Sequence, residues 1–402
     1  MTFALLFFLS MMTGCGQSDS EKTEITVLHG WGSTEADHVA MREIYLDFEK
    51  DNPDIDVNLV SMPSSEDVIH KVQEMLTVGE LPDVIFTGAL GEDSIYDFMV
   101  DKGYAVNLQP YLEQDPTFAK DIAPATRKRW MTEDGRIYTV SDVLLLAGYW
   151  YNTDIFQKAG IENPPSTWDE LLEDCKKIQT FSDQNGDSIS AMEMDENHIM
   201  YLTDALLSSL DPRQLKALQR GEADLNDDAF QESENYIKQI SAYSDNQTDF
   251  SYRDTLETFN AGKTAIYING LWADTMINEN IQVKYASFPS SDGAGISCES
   301  SCLGYILGNT NNQKTIDASV RFLKYMLSDQ VQERILNETG QIPSNPNLDI
   351  VSMTSSDRLL QAFPSVEQAG QKIEIPVNIW KEDQKRSYLE DVRSILENNA
   401  LK

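Results

Sequence analysis

The chain has 402 residues, more than one hydrophobic core ordinarily serves, so two lobes or domains are expected. Hydrophobic residues make up 41% and aromatics 9%, enough to fill two cores, which excludes a disordered chain. With 31 basic against 66 acidic residues the formal charge is −35; it is spread along the chain as a solvated surface and argues against nucleic acid or anionic lipid as partners.

Residues 2–14 form an apolar run too short to cross a bilayer as a helix, with small residues directly before Cys15, the pattern of a secretion-signal core. Met12, Thr13, Gly14 and Cys15 resemble the bacterial lipobox, in which the cysteine is lipidated and becomes the mature N-terminus. No Lys or Arg precedes the run, a departure from the usual signal. Residues 16–23 are polar, as a tether should be, so 1–23 are assigned to signal, lipobox and tether. Stable anchoring would need several acyl chains, because one holds a membrane weakly.

After the tether, 24–29 alternates as a first strand, and a glycine-bracketed turn carries Trp31. A helix over 36–50 follows, with an apolar stripe of Val39, Met41, Ile44, Tyr45 and Phe48. A strand over 54–60, a helix over 67–78 and a strand over 82–87 ending at Gly88 complete an alternation that predicts a largely parallel sheet. Ligands collect at the carboxyl ends of such strands, here 31–35 and 87–91. The run 135–151 is extended with an unbroken apolar centre and predicts a strand passing from one lobe to the other. Thr167 with Glu170 three residues on opens a helix with a capping box, which assigns Trp168 to structure. Helices dominate 204–245, strands are expected at 264–269, 282–288 and 304–308, and helices at 313–327 and 329–339.

The segment 261–273 is the most informative one: a glycine turn enters a short strand, and Gly270 delivers Trp272 just past its end. An indole held on a rigid strand end can stack on the apolar face of a sugar ring, with Asn269 nearby to bond hydroxyls, though an ordinary half-buried Trp fits the spacing equally. No phosphate-loop, dinucleotide, nucleophile-elbow or zinc-protease motif occurs, and carboxylates such as Asp83, Glu92 and Asp93 are too common here to mark a glycosidase pair. Asp183, Asn185 and Asp187 set oxygen ligands at positions one, three and five of a turn, as calcium loops do, but Glu193 falls one residue short of the bidentate place and a plain Asx and glycine turn is the alternative. Apart from that possible structural calcium no cofactor is expected. His29, His38, His70 and His198 are scattered without metal spacing. With Cys15 assigned to lipid, Cys175 reads as core, while Cys298 and Cys302 are close enough to bridge within a loop.

Leu81-Pro-Asp-Val, Gly103-Tyr-Ala-Val-Asn-Leu108, Asp134-Gly-Arg-Ile-Tyr138, the run 151–161, Pro164-Pro-Ser-Thr-Trp-Asp-Glu-Leu171, the run 262–272 and Thr339-Gly-Gln-Ile-Pro343 occur together in one order. In that order the chain resembles the sugar-binding branch of the extracellular solute-binding proteins, receptors of ABC importers, and is similar to maltodextrin-binding proteins over roughly residues 24–345. The resemblance implies an α/β, two-lobe periplasmic-binding-protein-like fold of the class II type, with a hinge and an interlobe cleft. Lobe 1 would comprise 24–142 plus 308–336 and lobe 2 147–303 plus 341–402, with crossings near 143–148, 303–308 and 337–340. Trp272 matches the family's sugar-subsite tryptophan, and Asn269 lies in the same motif, better suited to brace the turn. By location, Trp31, Gly32 and Glu35 after the first strand, Thr87 and Gly88 after the third, and Asp142 and Tyr305 beside the crossings are further ligand-binding candidates, Glu35 being equally readable as a helix cap and Tyr305 as hinge packing. Trp130 and Trp380 read as core.

The resemblance implies a lipid-anchored, monomeric, non-enzymatic receptor on the outer face of a bacterial cell membrane, taking a sugar ligand to ABC permease subunits. The same fold serving a polyamine, peptide or other solute, or a sensor without transport, is the alternative; a secreted glycoside hydrolase is the distant one.

Overall fold

A computed structural model of the chain describes residues 22–87, 95–132, 134–244, 252–301 and 303–400. Cys15, Gly88 and Cys302, with nearly all of the signal and tether, lie outside the described residues.

The first sheet contains β1 (Thr23–His29), β2 (Ile55–Ser61), β3 (Val84–Thr87), β4 (Thr139–Val140) and β10 (Gly304–Leu307), in the order β2-β1-β3-β10-β4. β1 pairs in parallel with β2 and β3 through intervening helices Ala36–Asp51 and Ser65–Val78, while β10 returns antiparallel to both β3 and β4. The second sheet holds β5 (Val143–Asn152), β6 (Ser190–Met192), β7 (Thr264–Gly270), β9 (Ile296–Ser300) and β12 (Gln371–Ile373) in the order β12-β9-β5-β7-β6, with β8 (Val283–Ala286) and β11 (Ile342–Pro343) also on β5. This is the two-lobe α/β fold of the solute-binding proteins, with one core built from residues between Ile25 and Val143 plus Tyr305 to Ile335, and two others from Leu146 to Cys298 plus Leu336 to Leu396.

The helix stripe on Ala36–Asp51 buries Met41, Ile44, Tyr45 and Phe48 against the first sheet, while Val39 faces out at 36% exposure. The Thr167–Glu170 capping box is formed in full, starting helix Trp168–Asn185 where Trp168 enters the second core.

The crossings follow from the core that each strand or helix end joins. The apolar run at 143–148 begins with the first crossing, Val143 packing in the first core and Leu146 in the second lobe, and continues as β5, the central strand of the second sheet, whose continuous hydrophobicity reflects burial on both faces. β10 belongs wholly to the first sheet and Tyr305 to the first core, so the second crossing is 301–303 rather than 303–308; the third falls in the π-helical turn Ile335–Thr339, where Ile335 joins the first core and Leu336 the second lobe. Ser301 donates to Ser141 Oγ at 2.9 Å, Ser344 to Ser141 O at 2.6 Å and Trp130 Nε1 to Ser301 O at 2.8 Å, which laces the crossings into one pivot.

The proposed bridge between Cys298 and Cys302 is corrected. Cys298 is a free thiol in the middle of β9, fully buried in the second core, and burial pushes it well above the usual thiol range. Cys175 is also a free core thiol.

Candidate functional site

Of the six tryptophans, Trp130, Trp150, Trp168 and Trp380 are at most 6% exposed, which settles them as core. Trp31 and Trp272 alone remain half-buried, one in each lobe, both just past the carboxyl end of a strand.

Trp272 owes its place to the glycine before it. β7 ends at Gly270, the chain tightens into a 3-10 turn over Leu271–Thr275, and the indole folds back over the Gly270 backbone. A Cβ at Gly270 would lie 1.9 Å from the ring, so any side chain there must displace the indole. Trp150 Nε1 donates to Gly270 O at 2.9 Å and Asn269 Oδ1 accepts from Gly270 N at 2.8 Å, which fixes the turn. Asn269 itself is buried, with its amide bonding the hydroxyls of Tyr252 (3.0 Å) and Tyr267. It therefore braces the seat of Trp272.

Tyr252, at the start of helix Tyr252–Asn260, escaped the sequence reading. Its hydroxyl also receives the Trp272 indole, and burial of that end raises its pKa, yet the ring as a whole is 43% exposed. Tyr252 and Trp272 thus form a joined aromatic surface on the second lobe.

On the first lobe, Trp31 stacks on Phe86 with centroids 5.2 Å apart and meets His38 edge-on at 5.0 Å. Its Nε1 donates to Tyr45 Oη at 3.1 Å. The Arg42 guanidinium donates to the carbonyls of Trp31 and of Ser33, the latter at 2.9 Å, and so clamps the turn. Gly32 is needed for close approach, since a Cβ would sit 2.4 Å from Met62 O; it offers backbone alone. Glu35 occupies the N-cap of helix Ala36–Asp51 but makes no cap bond; its exposed carboxylate accepts from Ser33 Oγ at 3.3 Å. Glu35, Asp37 and His38 gather ligand atoms within 4.8 Å of one another. Thr87 ends β3 opposite Gly304.

The two surfaces face each other. Arg253 is held above its ordinary value first by its partner Glu257 and also by the charge of Glu35, while Asp37 acts on Tyr252. The starts of these two helices, one from each lobe, are therefore within electrostatic reach of each other. Asp37, His38, Tyr252 and Arg253 were all missed by sequence reasoning; the available signal was their position in first helical turns next to a candidate aromatic or upstream of one.

Two candidates do not line the cleft, and these expectations are corrected. Asp142 and Tyr305 are both fully buried, Tyr305 donating to Asp142 Oδ2 at 2.6 Å, because the first crossing passes between β4 and β5 beneath β10. Asp183 and Asn185 lie in the last turn of helix Trp168–Asn185, two positions apart and so on nearly opposite faces. Asp183 accepts from Gln179 at 2.8 Å, the Asn185 amide donates to Phe181 O at 2.8 Å, and Gly186 closes the helix in the left-handed conformation, so Asp187 starts the next segment rather than a converging loop.

The chain matches the family described as bacterial extracellular solute-binding protein over residues 31–333. It belongs to that family. A binding protein of Brucella abortus is 28% identical over 187 residues, 45% of this chain and 41% of that protein, so the match spans about two fifths of that relative's length. The multiple sugar-binding protein of Streptococcus mutans is 22% identical over 82% of this chain and 78% of its own. Among solved structures, a Streptococcus pneumoniae solute-binding protein in complex with the blood group A-trisaccharide superposes with a TM-score of 0.76 at 22% identity, covering 94% of this chain and 97% of that one. At such identity the shared property is the solute-binding fold with its two lobes.

Proposed function

We propose that the protein is the receptor of an ABC importer, lipid-anchored through Cys15 on the extracytoplasmic face, that captures a carbohydrate, in particular an oligosaccharide, and hands it to permease subunits without covalent chemistry. The observation that carries this reading is the pair of half-buried tryptophans, one per lobe, behind a cleft mouth of carboxylates and Arg253. Aromatic faces hold the apolar sides of sugar rings, while Glu35, Asp37, His38 and Arg253 supply acceptors and donors for hydroxyls. Family membership and the sugar-binding descriptions of the Streptococcus relatives support the same ligand class.

The test is a tryptophan-fluorescence titration with a panel of oligosaccharides, polyamines and short peptides. Saturable binding to an oligosaccharide is expected, and Trp272→Ala should weaken it by more than about tenfold, as for a buried aromatic anchor. A response confined to polyamines or peptides would overturn the carbohydrate reading.

A further inference from the structure

Behind Trp31 a line of buried side chains leads to the pivot. Trp31 Nε1–H donates to Tyr45 Oη at 3.1 Å, the Tyr45 and Tyr305 hydroxyls are 3.1 Å apart, and Tyr305 donates to Asp142 Oδ2 at 2.6 Å. The indole has one proton and no lone pair to offer, and the Tyr305 proton is committed to the carboxylate, so the Tyr45 proton must point to Tyr305. Every donor in the series therefore points from cleft to crossing. Such a series is polarised as a unit in a low-dielectric interior. Tyr45, Tyr305 and Asp142 are all fully enclosed.

The far end is tied to the crossings themselves. Asp142 O accepts from Gln332 Nε2 at 2.8 Å and from Ser344 N at 3.0 Å, so the residue at the end of the series is also the one that joins the first crossing to the segments flanking the third. Its second carboxylate oxygen, Oδ1, is buried and has no partner.

We propose that Trp31, Tyr45, Tyr305 and Asp142 form a coupling relay, in which the protonation state of Asp142 at the crossing sets the hydrogen bond of the cleft indole, and a ligand seated on Trp31 changes proton affinity at the crossing in return. Linkage makes the two effects reciprocal. Tyr45 and Tyr305 are positioning residues here. Burial pushes the Asp142 carboxyl up to about 6, a rise offset in part by the Tyr305 bond, which sets the proton exchange in a mildly acidic window. Protonation at the empty Oδ1 leaves the Tyr305 bond in place but removes the charge that strengthens it.

Other groups face the relay and must be separated from it. His29 packs edge-on against Tyr45 at 5.4 Å and accepts Trp31 N at 3.0 Å, but burial first, then Arg42 and His38, lower it to about 4, below the window. Arg42 holds the Trp31 carbonyl and makes no hydrogen bond with Tyr45 or Tyr305. His38 touches the Trp31 ring directly and is the group that could imitate the effect. The ligand-linked half of the proposal rests on Trp31 being part of the sugar seat; the proton-linked half does not.

The experiment follows the Trp31 indole N–H resonance of the ligand-free full chain between pH 4.5 and 7.5, assigned by its loss in Trp31→Phe. A single sigmoidal shift with midpoint near 6 is expected in wild type and in His38→Gln. It should vanish in Asp142→Asn and collapse in Tyr45→Phe and Tyr305→Phe, which remove one hydroxyl each; if Asp142→Asn does not fold, the two Phe variants decide. A flat wild-type profile, or a shift that survives in the Tyr variants, overturns the relay. No ligand enters this titration, so its failure leaves the sugar reading standing, and failure of the sugar panel leaves this result intact.

Discussion

Gly270 and Trp272 act as one unit, because the ring lies where any side chain at position 270 would be. Gly270→Ala should therefore displace the indole and reproduce the binding loss of Trp272→Ala, about tenfold or more, while the fold survives, since the backbone at 270 is ordinary extended chain. Equal sugar affinity in Gly270→Ala and wild type would show that the ring position is irrelevant to binding. Asp142 makes a different prediction. Its folded pKa of about 6 lies above the model-peptide value, so the native state holds the proton more tightly, and its contribution to stability is full below pH 4 and lost as pH rises through 6. At about 1.4 kcal/mol per pH unit over that span, the ionised carboxyl costs about 3 kcal/mol above neutrality. Asp142→Asn should accordingly be more stable than wild type in denaturant melts at pH 7.5 and indistinguishable at pH 4; a destabilised variant at pH 7.5 would mean that the Tyr305 bond outweighs desolvation.

Asp204 does at the scale of an element what Asp142 does at the pivot. It sits fully buried in helix Glu196–Leu210 and accepts from Trp380 Nε1 at 2.8 Å, joining the helix to the C-terminal segment. Burial raises its pKa well above the usual carboxylate range, the Trp380 bond opposing it, so its contribution to stability again falls as pH rises. Asp204→Asn keeps an acceptor for Trp380, and melts between pH 6 and 8 should show a Tm gain that widens with pH, roughly 2–4 °C for each kcal/mol; a gain independent of pH would rule out ionisation as the cause. Elements of this kind were legible where local chemistry is complete within a few residues. The Thr167–Glu170 box, the stripe of helix Ala36–Asp51 and the β7 turn to Trp272 all formed where periodicity and capping put them. The misreadings came from long-range pairing. An unbroken apolar run reads as a linker strand, and only the partners β7, β8 and β9 show that β5 is also the central strand of its sheet. Likewise, Asp142 and Tyr305 lie next to crossings in sequence but 163 residues from each other, so nothing local signals that they bury one another. Tyr252 was hidden for the same reason: its partner Trp272 is twenty residues on, across a helix and a strand.

At the scale of the molecule, the crossings divide the space between the lobes into two sides. Trp31 and Trp272 lie on the side of β1 and β7. β4 and β12 are edge strands of their sheets, and beside them, away from β1 and β7 in the strand order, a groove of about 1060 Å³ runs between helix Pro124–Trp130 of the first lobe and Gln371 to Asn378 of the second. Arg129 bridges it to Glu374 at 3.2 Å, with both side chains about one-fifth exposed. A rotation of the lobes that closes over Trp31 and Trp272 by opening this groove would have to break the Arg129–Glu374 pair, which would then oppose closure. Removing it in Arg129→Ala with Glu374→Ala should favour the closed form and tighten sugar binding. Pairs of this exposure are worth up to about 1 kcal/mol, which limits the gain to roughly fivefold in Kd. The same double variant should have a smaller radius of gyration without ligand in small-angle scattering, and the effect should shrink at high salt as the wild-type pair is screened. Weaker binding together with an unchanged radius would place the ion pair outside the hinge equilibrium. The relay behind Trp31 adds a second control on that equilibrium, since it ends on the residue whose carbonyl ties the first crossing to Gln332 and Ser344. If both act on one rotation, the double variant at pH 5 and at pH 7.5 should differ in affinity by the same factor as wild type does, because independent contributions to a single two-state equilibrium add in free energy.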